Sequence, residues 1–183
     1  MTAATSHDHI RSLQASNDRI DWQQVLEEII SSFECSTGTL HFWDEDSKLL
    51  KLEAYKGIPE FLLPKMMEIP IGKGMAGIAA ERRVPVEMCN LQTDTSGIAR
   101  PAAKETKVEG SIAAPLLLDG VLYGTLGIAK PIPYDFLEKE KEALMKIGAE
   151  ISQRIRQKKG IWYRIDLGGE DIAVVLRGGN LLS

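Results

Sequence analysis

Cysteine is scarce in this chain. Its 183 residues hold two, Cys35 and Cys89, too few for the disulfide framework of a small secreted domain. There is no CxxC pair and no close His–Cys cluster of the kind a metal site needs. Histidine is nearly as rare. His7 and His9 fall in a polar start, Met1 to Asn17, read as a disordered N-terminal arm (1–17) rather than as a chelating pair. His41 falls in the predicted strand Thr39-Leu-His-Phe-Trp43. A hydrogen-bonded strand histidine is expected there in preference to a haem or metal ligand, because no partner set stands nearby. No apolar run approaches the length of a membrane span, and the N-terminus lacks a signal-peptide pattern. A cytoplasmic location is therefore expected, either alone or as a piece of a larger membrane-bound receptor. Excess positive charge is missing too. A net charge of −4 argues against a nucleic-acid footprint, and Lys139 and Lys141, alternating with Glu138, Glu140 and Glu142, read as a solvated helix face. The carboxylate groups Glu27-Glu28 and Asp44-Glu45-Asp46 sit on a predicted helix surface and a turn, where they make no acid–base pair.

What the chain does have is apolar content of 44%, enough for one sizeable core, and a run of glycines, Ile71-Gly-Lys-Gly-Met-Ala-Gly-Ile-Ala-Ala80. As a string, Gly72-x-Gly74-x-x-Gly77 fits a dinucleotide fingerprint, with Asp94 or Glu87 as the nominal acid. Its surroundings fit poorly. Pro70 stands where a buried first strand should end, and Pro85 stops the following helix near Arg83. The better reading is a tight turn into a short, Ala-rich helix packed closely on a sheet. Downstream, Ser111–Leu118 and Val121–Ala129 flank Asp119-Gly120, a strong signal for an antiparallel hairpin.

The remaining elements follow from pattern. Asp18 or Asp21 caps a helix to about Phe33 with Val25, Leu26, Ile29, Ile30 and Phe33 as its apolar stripe. Strands are predicted near Thr39–Asp44, Lys48–Tyr55 and Val84–Met88. Short helices are predicted from Gly57 through Met67 and near Ala102–Thr106. A long helix starts near Asp135 with Phe136, Leu137, Leu144, Ile147, Ile151 and Ile155 on one side.

In this order and spacing the elements resemble a GAF domain. The glycine segment with Pro85-Val86 and the hairpin marked by Pro115-Leu116, Asp119-Gly120 and Gly124 match that family's pattern, over about Asp21 to Arg156. The resemblance implies an α+β module, here bounded at 18–157. Its central antiparallel sheet carries the terminal helices on one face and short helices and loops over a small-molecule pocket on the other. Function must still be argued from residues. The segment Asn90 to Lys107 corresponds to the family's pocket wall. It offers Asn90, Asp94, Ser96, Arg100 and Lys104 as candidate ligand-binding residues. Arg100 suits a carboxylate or phosphate, Lys104 adds a point charge, and Asp94 would orient either cation. Met75 and Met88 are candidates for a deformable apolar lining, as is Met66.

Three departures narrow the activity. The family's cyclic-nucleotide constellation cannot be laid out here. No Cys–His pair occurs in Asn90–Gly110 for a covalent bilin. The thiols of the family's free methionine sulfoxide reductases fall instead on Met75 or Ala76 and on Ile98-Ala99, with Cys89 displaced and read as a buried structural thiol. No catalytic residue and no metal or cofactor is assigned. The expectation is a non-enzymatic signalling domain that binds an unidentified small molecule and relays it through its terminal helices as a homodimer. It would have no direct nucleic-acid or membrane partner. The alternatives are a ligand-free dimerisation scaffold and a thiol-dependent reductase. The tail, 158–183, alternates like an extra C-terminal β-hairpin, Ile161–Leu167 with Ile172–Arg177, expected to dock on its own domain or exchange with a second copy.

Overall fold

The computed structural model describes residues 20–159 and two further strands, 161–166 and 171–176. The predicted arm at 1–17 lies outside the described residues. The first helix, α1 (Trp22–Ser32), starts where Asp21 accepts a hydrogen bond from the backbone N–H of Gln24 at 3.1 Å. That bond satisfies one of the free donors of the first turn. Val25, Leu26, Ile29 and Ile30 are buried, as their spacing requires.

Six strands then build one sheet. They are β1 (Thr37–Asp44), β2 (Leu49–Lys56), β3 (Glu68–Pro70), β4 (Val86–Met88), β5 (Ser111–Leu118) and β6 (Val121–Ala129), in the order β3-β2-β1-β6-β5-β4. Every neighbouring pair is antiparallel, which removes the parallel sheet that a dinucleotide fold requires. Pro70 ends the edge strand β3, where its missing donor costs no ladder bond. The β5–β6 turn is Asp119-Gly120 with φ of 50° and 73°, the left-handed pair that a two-residue hairpin needs.

The long helix, α5 (Glu138–Lys159), begins three residues later than its pattern suggests. The Glu140 carboxylate accepts from the Leu137 backbone N–H at 2.8 Å and closes the first turn. Leu137 therefore precedes the helix and is exposed, contrary to its place in the predicted stripe. Phe136 is buried even so, edge-on against Tyr134. Lys130, also buried, donates to the carbonyls of Phe33 and Glu34 and lies over the Tyr134 ring, tying the end of α1 to the lead-in of α5.

α1 and α5 cover one face of the sheet. Leu26, Ile29, Leu144, Ile147 and Ile151 from the helices meet Leu40, Ile112, Leu116, Leu126 and Ile128 from the strands in one dry core. Each such side chain contributes about 1.5–3 kcal/mol by leaving water. At Gly148 the helix approaches so closely that an added Cβ would lie 3.0 Å from the Pro115 carbonyl.

The other face is covered by three short helices. These are α2 (Leu63–Met66), which follows a single 3-10 turn at Glu60–Leu62, α3 (Gly74–Arg82) and α4 (Pro101–Glu105). α3 buries only small residues, Gly77, Ala79 and Ala80, and a Cβ at Gly77 would overlap the Pro70 carbonyl. The glycine segment is thus a close-packing device. Strands β7 (Ile161–Asp166) and β8 (Asp171–Leu176) pair antiparallel in a two-stranded sheet of their own. The turn of the expected C-terminal hairpin lies outside the described residues.

Candidate ligand site

On the second face of the sheet, under α2, α3 and α4, lies a cavity of about 130 Å³. Its floor is made by the alternate residues of three strands: Thr37, Thr39 and His41 of β1, Ser111 and Ala113 of β5, and Gly127 and Ala129 of β6. Successive strand residues point to opposite faces. The large residues of these strands, Leu40, Ile112, Leu126 and Ile128, go to the helix core. Small ones remain to face α3 and α4, and small side chains leave space. The walls are apolar where Met66, Ile69, Met75, Leu91, Ala102 and Val108 close in.

Among the described residues, the charged ones that border the cavity are all cations, Lys65, Lys73 and Arg100, with no aspartate or glutamate. Lys65 reaches Glu105 at 3.5 Å, an exposed pair. Lys73 and Arg100 make no ion pair or side-chain hydrogen bond among the described residues. Gly74, at φ 63°, lets Arg100 lie across the start of α3, since a Cβ there would stand 3.0 Å from the Arg100 Cδ.

His41 is 1% exposed and its Nε2–H donates to the Met66 carbonyl at 2.8 Å. A carbonyl only accepts, so Nε2 carries the proton and Nδ1 presents its lone pair. Burial lowers the imidazole pKa, with the Met66 bond opposing, which favours the neutral ring. Nδ1 has no partner. Thr125, directly opposite on β6, has a buried hydroxyl that is also without one.

Of the residues singled out in the sequence, Met75 and Arg100 border the cavity. The segment 90–107 does supply part of its wall, but through Leu91, Ala99, Ala102, Ala103 and Thr106 as well as Arg100. Its polar members are turned to holding the segment's own shape. Asn90 caps the short turn Leu91–Thr93 by accepting from the Gln92 N–H at 3.0 Å. Asp94 accepts from the Ser96 N–H at 2.9 Å and from the Ala99 N–H at 3.1 Å, and the Ser96 hydroxyl adds a third bond. These bonds hold the Asp94 carboxyl below its ordinary pKa. Lys104 Nζ donates to the Asp94 carbonyl at 2.6 Å. Met88 sits half-buried on β4 opposite Ser111, outside the cavity lining. Lys65, Lys73 and His41 are the functional candidates that motif reasoning passed over. The alternation Thr37-x-Thr39-x-His41 beside the large Leu40 is the signal that points to His41 on β1.

Neither thiol borders the cavity. Burial pushes Cys35 up to about 11. Cys89 is exposed, not buried as expected, because it follows the short strand β4 into the loop at the sheet edge. Its pKa is raised by local desolvation and by Asp135 beside it. Raised values keep both as protonated, weakly nucleophilic thiols. Among the described residues, no three His, Cys, Asp or Glu side chains gather as metal ligands would, and no helix is long and apolar enough to cross a membrane.

The comparisons with known proteins agree with this architecture. The family model for the GAF domain matches residues 22–156. The GAF domain of a phosphoenolpyruvate-protein phosphotransferase from Coxiella burnetii superposes with a TM-score of 0.71 at 18% identity, covering 83% of this chain and 90% of that one. Free methionine-R-sulfoxide reductase from Neisseria meningitidis, solved with its substrate, gives 0.63 at 21% identity, covering 77% and 83%. The GAF domain of A. Aeolicus nlh2, in an inactive state, gives 0.63 at 15%, covering 84% and 94%. At such identities these likenesses speak for the fold. No curated protein sequence matches significantly. The match over residues 22–156, on a six-stranded antiparallel sheet with helices on both faces, makes this chain a member of the GAF domain family.

Proposed function

We propose that this GAF domain is a regulatory module that binds a small organic anion in the cavity beneath α3 and α4. The observation that carries the reading is the make-up of the cavity border: apolar walls and, among the described residues, three cations and no acid. An apolar pocket with a few convergent polar groups is the usual form of a small-molecule site. Arg100, unpaired among the described residues, offers the fork that a carboxylate or phosphate accepts.

A route to the terminal helices supports a signalling role. Ile112 and Ile128 border the cavity and also belong to the core packed under α1 and α5. A ligand that changes their packing has differential contact with two arrangements of those helices, which is what a shift in population requires. The apolar stripes of α1 and α5 are used within the protomer, so a homodimer through these helices would join their outward faces. We place the module in the cytoplasm and read it as non-enzymatic, with both thiols protonated and away from the cavity. A thermal-shift series tests the binding reading. Small carboxylates, phosphates, nucleotides and amino acids would be added to the purified chain. A ligand of the native state at about 100 times its dissociation constant stabilises by about 2.7 kcal/mol. A saturable shift by an anion, lost in Arg100→Ala, supports the module. No shift from any anion moves the assignment to a ligand-free scaffold.

A further inference from the structure

We propose that the anion is a small aliphatic hydroxycarboxylate whose hydroxyl is read by His41 and whose carboxylate is held by Arg100. This rests on the anion-binding reading above and narrows it. Three features of the cavity lead there. First, its size, about 130 Å³, is close to that of an apolar cavity known to hold benzene, about 150 Å³. That suits a short branched acid. Second, the cationic border, without a carboxylate among the described residues, calls for an anion and leaves an ammonium no counter-charge. An α-amino acid would bring its positive charge beside Lys73 and Arg100, and like charges repel. Third, His41 is buried at 1% exposure with Nδ1 unpartnered, and it borders the cavity. Its other nitrogen is committed to the Met66 carbonyl at 2.8 Å, so in the neutral ring, which burial favours, this atom accepts. A buried acceptor left unmade is costly, so the fitting ligand is one that donates there. A 2-oxo acid cannot donate. A hydroxy acid can, without adding charge. Thr125, opposite His41 in register with its own hydroxyl unpartnered, places a second hydrogen-bonding group on the same face of the sheet.

Five compounds on one carbon skeleton test the claim by calorimetry on the full chain: 3-methylbutanoate, its 2-hydroxy and 3-hydroxy derivatives, 2-oxo-3-methylbutanoate and valine. The expected result is that at least one hydroxy acid binds about tenfold tighter than the parent acid, the oxo acid and valine. A neutral hydrogen bond is worth up to about that factor. Equal binding of hydroxy acids and 3-methylbutanoate would give Nδ1 to Thr125 and overturn the hydroxyl claim while leaving the anion site standing. Tightest binding by valine would overturn it as well. Absence of binding by every carboxylate would remove the anion site itself, and this claim with it. In His41→Gln, the preference for the hydroxyl should collapse while carboxylate binding persists. If that variant does not fold, the series on the unaltered chain decides alone.

Discussion

The two faces of the sheet are made by the same strands and behave in opposite ways. On the helix face, Leu40, Ile112, Leu116, Leu126 and Ile128 meet α1 and α5 in a filled core. On the other face the same strands present Thr37, Thr39, His41, Ser111, Ala113, Gly127 and Ala129, and a cavity remains above them. Residue volume alone distinguishes the faces: large branched side chains interdigitate to native density, and short ones beneath short helices cannot. The cavity face also holds the unpartnered polar atoms, His41 Nδ1 and Thr125 Oγ1, as expected where stability gives way to function.

The largest effect should come from breaking the filled face. Ile147→Ala, at a position with no exposure, is expected to cost about 2–5 kcal/mol, read as a lowered urea midpoint with unchanged slope. Arg100→Ala, on the cavity rim, should leave stability within about 0.5 kcal/mol and weaken anion binding by about 1.5–3 kcal/mol, the worth of hydrogen bonds to a charged group. Calorimetry and a denaturation curve on the same sample separate the two. Ala103→Leu should fill part of the cavity. It is expected to abolish binding at a stability cost of no more than about 1–3 kcal/mol, with circular dichroism confirming the fold.

The smallest effect is a pH dependence. Burial holds the folded His41 pKa below its ordinary 6.5, so between the two values the unfolded chain binds more protons. The contribution is fully present above 6.5 and is lost as pH falls through the window beneath it. Stability of the native chain should therefore decline on acidification below 6.5 more steeply than that of His41→Gln, measured by denaturant midpoints across pH 5 to 8.

The same contrast explains what was legible in the sequence. The helix face could be read almost residue by residue, because Val25, Leu26, Ile29, Ile30 and Leu144, Ile147, Ile151, Ile155 recur at helical spacing, and the Asp119-Gly120 turn fixes the register of β5 and β6. Leu137 failed because a Glu140 cap, not hydrophobic spacing, sets where α5 begins. The cavity face was legible only in part. Arg100 and Met75 stood out as residue types and do reach the border. Asp94, Ser96 and Lys104 are equally polar, yet local hydrogen bonding within a loop claims them first. Lys65 lies on α2 and Lys73 just before α3, and only the tertiary fold brings the two to one rim. His41 was recognised as a hydrogen-bonded strand residue, but the idle nitrogen depends on which atom meets Met66.

The central claim is that the small-residue face is the one that takes the ligand. A nitrogen–proton correlation spectrum of the isotope-labelled chain, titrated with 3-methylbutanoate and its 2-hydroxy derivative, tests it most directly. The account predicts saturable shifts at amides around the cavity, such as Thr39, Ala99, Ala113 and Gly127, with smaller changes along α5 behind Ile112 and Ile128. Shifts confined to exposed lysines, or none at saturating concentration, would contradict it.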